Sequence, residues 1–141
     1  MRGIAAGIVA AVLWAAAEPG LGRAFGVPWY SDRRLLGGLL GVGPHGALAA
    51  HLANGAAFGA VFAALGAEGP LEGALAAQAE NAALWPAMIV VDRVHPDRRS
   101  GAWPPLFRNG RVFAYEVAGH ALFGAVLGTL VRRPSRLGSA A

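Results

Sequence analysis

Six side chains with useful chemistry stand inside otherwise apolar stretches of this 141-residue chain: His51, Asn54, Glu80, Asn81, Glu116 and His120. His51 and Asn54 lie three apart and Glu116 and His120 four apart, spacings that put each pair on one helix face. Three chemistries suit the set. As a structural polar zipper, the groups hydrogen-bond across helices, contributing about 0.6 kcal/mol per pair. As a proton or ion relay, desolvated carboxylates at Glu80 and Glu116 work with imidazoles at His51 and His120, and Asn54 and Asn81 supply hydrogen bonds. As a metal or haem site, His51, Glu80, Glu116 and His120 are the ligands in a bundle core. The Glu116-x-x-x-His120 spacing departs from the i,i+3 motif of di-iron bundles. No cofactor is therefore expected, and metal or haem remains the alternative.

Other candidates have simpler roles. Ser31, Ser100, Ser135, Ser139 and Thr129 have no His/Asp arrangement suggesting a nucleophile, and no phosphate-binding glycine loop occurs. No catalytic motif points to an enzyme. His45 and His95 fall at span or loop edges, where a solvated imidazole needs no role. Glu18-Pro19 reads as the end of a span, and Asp32 and Asp97, each beside two arginines, read as local ion pairs.

The elements that must position the six are set by composition. The chain is 55% hydrophobic and only 14% charged, against roughly a quarter charged in a soluble domain. That excludes a disordered chain and argues against a soluble enzyme. With no Cys, disulfides, Cys-ligated zinc, iron–sulfur clusters and thiol catalysis are excluded. Every basic residue is Arg, the mark of a GC-rich genome, and the arginines cluster between apolar stretches as Arg33-Arg34, Arg98-Arg99 and Arg132-Arg133. The net charge of +4 thus reads as membrane topology and headgroup contact, not as a nucleic-acid surface.

Four segments predict membrane-spanning helices in a single domain: 3–17, 44–65, 70–91 and 110–131. Arg-containing loops 18–43 and 92–109 and a basic tail 132–141 separate or follow them. Unbroken Ala-rich runs argue for helices over strands. Pro44 and Pro70 suit first helical turns. Gly55-x-x-x-Gly59 and Gly124-x-x-x-Gly128 have the small-residue spacing of close helix packing. The expected fold is a compact all-α bundle of four transmembrane helices. A rival reading makes the first segment a signal peptide, with Ala15-Ala16-Ala17 before the cleavage site. Trp14, Trp29, Trp85 and Trp103 fall near the long-loop face as an interfacial belt.

Asp32-Arg33-Arg34 recurs 65 residues later as Asp97-Arg98-Arg99, and Phe58-Gly59-Ala60-Val61 as Phe123-Gly124-Ala125-Val126 at the same offset. The chain reads either as two related helical hairpins or as two Ala/Gly-rich halves alike by chance. The register places His51 opposite Glu116 and brings all six polar side chains near mid-depth, where an ionisable group costs about 2.5–3.5 kcal/mol. They are expected to face inward and meet.

The punctuation of the spans resembles the YagU-type family of small bacterial inner-membrane proteins. The resemblance rests on Trp14 with Ala17-Glu18-Pro19, His51 to Gly59, Gly73-Ala74-Leu75-Ala76, and Glu116 with Gly119-His120. It implies four spans in the cytoplasmic membrane with both termini inside. The Arg-rich long loops imply the opposite orientation, so sidedness stays open. Two functions are expected: proton, ion or small-solute handling through the polar cluster, or a non-catalytic accessory subunit packing its small-residue faces on itself or a larger membrane complex. The lipid bilayer is the partner in either case.

Overall fold

Proline and glycine punctuate the chain into helices, and no strand forms among the described residues, 1–132, of the computed structural model. Helix α1 covers Arg2–Ala24, α2 Asp32–Leu40, α3 Pro44–Ala64 and α4 Pro70–Leu84. A 3-10 turn at Trp85–Ala87 leads into α5, Met88–Val94, followed by α6, Pro96–Arg99, and α7, Gly110–Val131. Pro44 and Pro70 open their helices as expected. Ser31 caps α2 by accepting from the Arg34 amide, and Asn109 caps α7 by accepting from the Arg111 and Val112 amides. Arg133, Arg136, Ser135, Ser139 and most of the basic tail lie outside the described residues.

Four helical segments are long and apolar enough to cross a bilayer: Arg2–Ala24, Pro44–Ala64, Pro70–Val94 and Gly110–Val131. Their outer faces expose Ile4, Ile8, Val12, Val61, Leu75, Val90 and Leu130. A water-soluble bundle turns such side chains inward; a bundle in hydrocarbon leaves them out. The molecule is an all-α, multi-pass membrane bundle.

Glycine decides which helices touch. α1 lies along α3, α4 lies along α7, and α1 also packs on α7. Gly3 and Gly7 meet Gly55 and Gly59 so closely that a Cβ on Gly7 would collide with the Gly55 carbonyl. In the second pair Gly73 meets Gly124, and the Gly69 amide donates to the Gly128 carbonyl at 3.0 Å. Both small-residue motifs are therefore spent closing hairpins within the chain. α3 and α4 make no extended contact, and one side of the bundle is open.

Three boundaries differ from the sequence expectation. α1 does not stop at Ala17 but runs through Glu18-Pro19-Gly20 to Ala24. Pro19 has no N–H for the Ala15 carbonyl, and the Arg33 guanidinium donates to that oxygen instead, at 3.3 Å. The 18–43 stretch is consequently no open loop: it holds the end of α1 and the short helix α2, which packs on α3. Likewise 92–109 contains the end of α5 and α6, with Trp103 and Leu106 buried. The third span continues past Val91 to Val94, but Pro86 breaks its regular helix into the 3-10 turn.

The arginines at the 65-residue offset hold acids that do not share it: Arg33 holds Glu18 at 2.6 Å and Arg98 holds Asp92 at 2.9 Å. Gly59 and Gly124 occupy matching places in their glycine seams. The first helix supplies Gly3, Gly7, Ala10, Ala11 and Trp14 to the interior, so it is an integral part of the bundle.

Candidate functional site

Between α3 and α4 lies a cleft of about 250 Å³ at the mid-height of the spans. Its polar lining is Asp32, Asn54, Glu80, Asn81, Glu116 and His120; Trp14, Leu35, Leu84, Trp85 and Met88 supply much of its apolar wall. Five of the six predicted residues thus converge. His51 stands behind the cleft, and Asp32 takes its place in the lining.

Each side chain is held by a different element. On α7, Glu116 is only 3% exposed, and its Oε1 accepts a 2.6 Å hydrogen bond from the Tyr30 hydroxyl. Its Oε2 makes no hydrogen bond with a described residue, and His120 Nδ1 lies 3.5 Å from it. His120 Nδ1 donates back to the Glu116 carbonyl at 2.8 Å, so a neutral ring carries its lone pair on Nε2. On α4, Asn81 is 5% exposed and forms no hydrogen bond with any described residue, while Glu80 is half-buried and faces Asn54. Asn54 itself is exposed at the rim of α3.

His51 does not meet Glu116, contrary to the register expectation. Its Nδ1 lies 2.8 Å from the Asp32 carboxylate and its Nε2 3.0 Å from the Ala11 carbonyl. A carbonyl only accepts, so Nε2 carries a proton. The Asp32–His51 pair must then share a further proton across Nδ1. The two histidines are kept apart by Trp14, whose indole packs edge-on against His51 at 5.4 Å and against His120 at 4.8 Å. A haem plane cannot bridge them with that indole between. Among the described residues no three His, Cys, Asp or Glu side chains form a metal-ligand group, so the proposed set His51, Glu80, Glu116 and His120 does not assemble.

Several residues read as peripheral prove internal. Trp14 and Trp103 are buried, and only Trp29 and Trp85 stay half-exposed in the expected belt. Trp14 fits because Gly119 has no side chain: a Cβ there would lie 2.6 Å from the indole. His95 is buried, stacked on Trp103 at 4.4 Å, with Nε2 unpartnered. Asp97 pairs with Arg34 across 63 residues of sequence, and Asp32 pairs with His51, so neither forms the local ion pair expected. Glu18, read as a helix end, is buried beneath Arg33.

Sequence reasoning missed Asp32, Tyr30 and Trp14 as parts of the site. The available signal was the apolar content of 27–36, with Val27, Trp29, Tyr30, Leu35 and Leu36, which is unusual for a solvated loop. Tyr30 lies outside the spans. Burial first, and then the neighbouring Glu116 carboxylate, push its phenol well above the ordinary value of 10.0, so it remains a donor at neutral pH.

The polar groups occupy one half of the bundle. Toward the termini, the buried side chains are Ala6, Ala10, Phe62, Ala77, Phe123 and Leu127, interleaved with the glycine seams. A second hollow of about 530 Å³ lies beside α2, but its Arg33 and Arg34 are already engaged by Glu18 and Asp97. No family model matches the sequence, and comparison with curated proteins and with solved structures gives no significant match.

Proposed function

We propose that this is a bacterial cytoplasmic-membrane protein that handles a small solute at the one-sided cleft between α3 and α4. One observation carries this: carboxylates, carboxamides and an imidazole converge on a cavity that is open laterally, at a place where the matching helix pair α1 and α7 is closed. Membranes tolerate buried ionisable groups mainly where they serve a pathway or a ligand. The all-Arg basicity and the resemblance to the YagU-type family support the bacterial inner membrane as its location.

Two other readings lose support. A proton wire through the membrane needs polar groups on both sides of mid-depth, and the buried half toward the termini is apolar. Proton exchange at Asp32–His51 and Glu116–His120 then serves the solute site from one side only. An accessory subunit docking through Gly55, Gly59, Gly124 and Gly128 would need those glycines free, yet they are buried against other glycines of the chain.

The absence of native cysteine gives a direct test. In sealed vesicles, Asn81→Cys should react with a membrane-impermeant thiol reagent from the long-loop side alone. Ala76→Cys, toward the termini on the same helix, should stay unreactive. Equal labelling of Asn81→Cys from both sides, or none from either, would overturn the one-sided cleft.

A further inference from the structure

Resting on the solute-site proposal, we infer that the cleft selects an amphipathic primary ammonium, a molecule with a protonated amine head and an apolar body. The unfilled hydrogen-bonding capacity around the cavity defines the head. Among the described residues, Glu116 Oε2 accepts nothing, His120 Nε2 accepts nothing, and the buried Asn81 carboxamide has no partner. These vacant acceptors suit a donor-rich head, and the Asn81 amide N–H groups and the buried Trp14 indole N–H are the donors beside them left unpartnered among the described residues.

Charge narrows the class further. Asp32, Glu80 and Glu116 line the cavity and no described Arg does, so an anionic head meets repulsion from the walls supplied by α2, α4 and α7. The two guanidiniums of α2 are bound elsewhere, Arg33 to Glu18 and the Ala15 carbonyl and Arg34 to Asp97. The titratable groups facing the ligand head are Asp32 from α2, Glu80 from α4, and Glu116 and His120 from α7, with His51 behind Asp32. A quaternary ammonium carries the charge but has no N–H, so it leaves the vacant acceptors unfilled.

The walls define the body. Trp14 and Trp85 present rings to the cavity, and Leu84 and Met88 line it on the side of the broken third span. Aromatic faces favour cations at close range. The gap between α3 and α4 lets an apolar tail lie toward the bilayer while the head reaches Glu116.

The source of the amine is either a free solute or the headgroup of an ammonium-bearing lipid, and one experiment separates them. Full-length protein is placed in phosphatidylcholine nanodiscs, whose headgroup has no N–H. Binding of 2-phenylethylammonium, hexylammonium, 2-phenylethanol, phenylacetate and phenylethyltrimethylammonium is measured by calorimetry against empty discs. The primary ammonium probes should bind saturably and at least tenfold tighter than the alcohol, the carboxylate and the trimethyl analogue. Glu116→Gln should weaken them at least tenfold. Asn81→Ala should weaken them severalfold with an unchanged melting temperature, since Asn81 has no partner among the described residues to lose. Competition by added phosphatidylethanolamine identifies the lipid headgroup as the source, and its failure to compete identifies a free amine; either result keeps the ammonium chemistry. Saturable binding by neither primary amine, equal binding of the alcohol or carboxylate, or binding indifferent to both variants overturns it. With Asn81→Cys labelled from one side, such a failure falls on the ligand class alone; with Asn81→Cys unreactive, it falls on the cleft itself.

Discussion

The two lateral sides of the bundle are built from similar parts and end differently. α1 and α7 close on each other, with Trp14 laid against Gly119. α3 and α4 stay apart, and at the position 65 residues before Gly119 stands Asn54, exposed and facing Glu80 across the gap. A missing side chain lets one pair meet. On the other side Asn54 of α3 faces Glu80 across the cleft, and Pro86 interrupts the facing helix one turn above the site.

The largest expected effect comes from breaking that asymmetry with one substitution at both matching places. Gly119→Leu drives a side chain into Trp14 and should cost about 3 kcal/mol, the upper end for overpacking, read as a large drop in detergent melting temperature. Asn54→Leu projects into the cleft and forfeits only the half-buried contact with Glu80, so it should cost no more than about 1 kcal/mol. Equal losses at the two sites would mean that α3 and α4 are in fact packed.

Next in size are the paired arginines. Arg33→Ala leaves Glu18 buried without its cation and the Ala15 carbonyl without a donor, and should cost about 2–3 kcal/mol. Arg98→Ala should cost about 1 kcal/mol, because Asp92 is more exposed and keeps the Leu106 and Phe107 amides. Chemical unfolding of the two variants side by side checks the ranking, and the reverse order would contradict it.

The third test concerns the residue that holds Glu116 in place. Tyr30→Phe removes the sole hydrogen-bond donor to Glu116 Oε1 and should cost about 1–2 kcal/mol. Its pH signature is diagnostic. The folded phenol ionises only well above 10.0, while the unfolded one ionises near its ordinary value. Stability linked to Tyr30 is therefore fully present below pH 10 and declines as pH rises beyond it. Melting curves from pH 9 to 11 should fall less steeply for Tyr30→Phe than for the parent; parallel curves would place Tyr30 in water, away from Glu116.

Legibility followed the range of the interactions. The glycine spacings at 55/59 and 124/128 and the prolines at 44 and 70 act locally, and both appear in the structure where the sequence puts them. Glu80, Asn81, Glu116 and His120 were visible as costly groups at mid-span, and they do converge. Pro19 misled, because the guanidinium that satisfies its orphaned carbonyl comes from Arg33, on another helix. Asp32 and Trp14 were misplaced and Tyr30 was passed over for the same reason: their partners, His51, Glu116 and Gly119, stand on other helices. His95 looked solvated until Trp103 folded back to stack on it.

The order of amino acids alone determined that hydrocarbon surrounds four helices and that acids and imidazoles inside them must turn inward, since transfer cost depends on composition and length. Which of those groups meet, and that one seam closes while its counterpart opens into a polar cleft, was decided by tertiary packing. Side-chain fit across helices acts over a few ångströms, and only the folded bundle sets those distances.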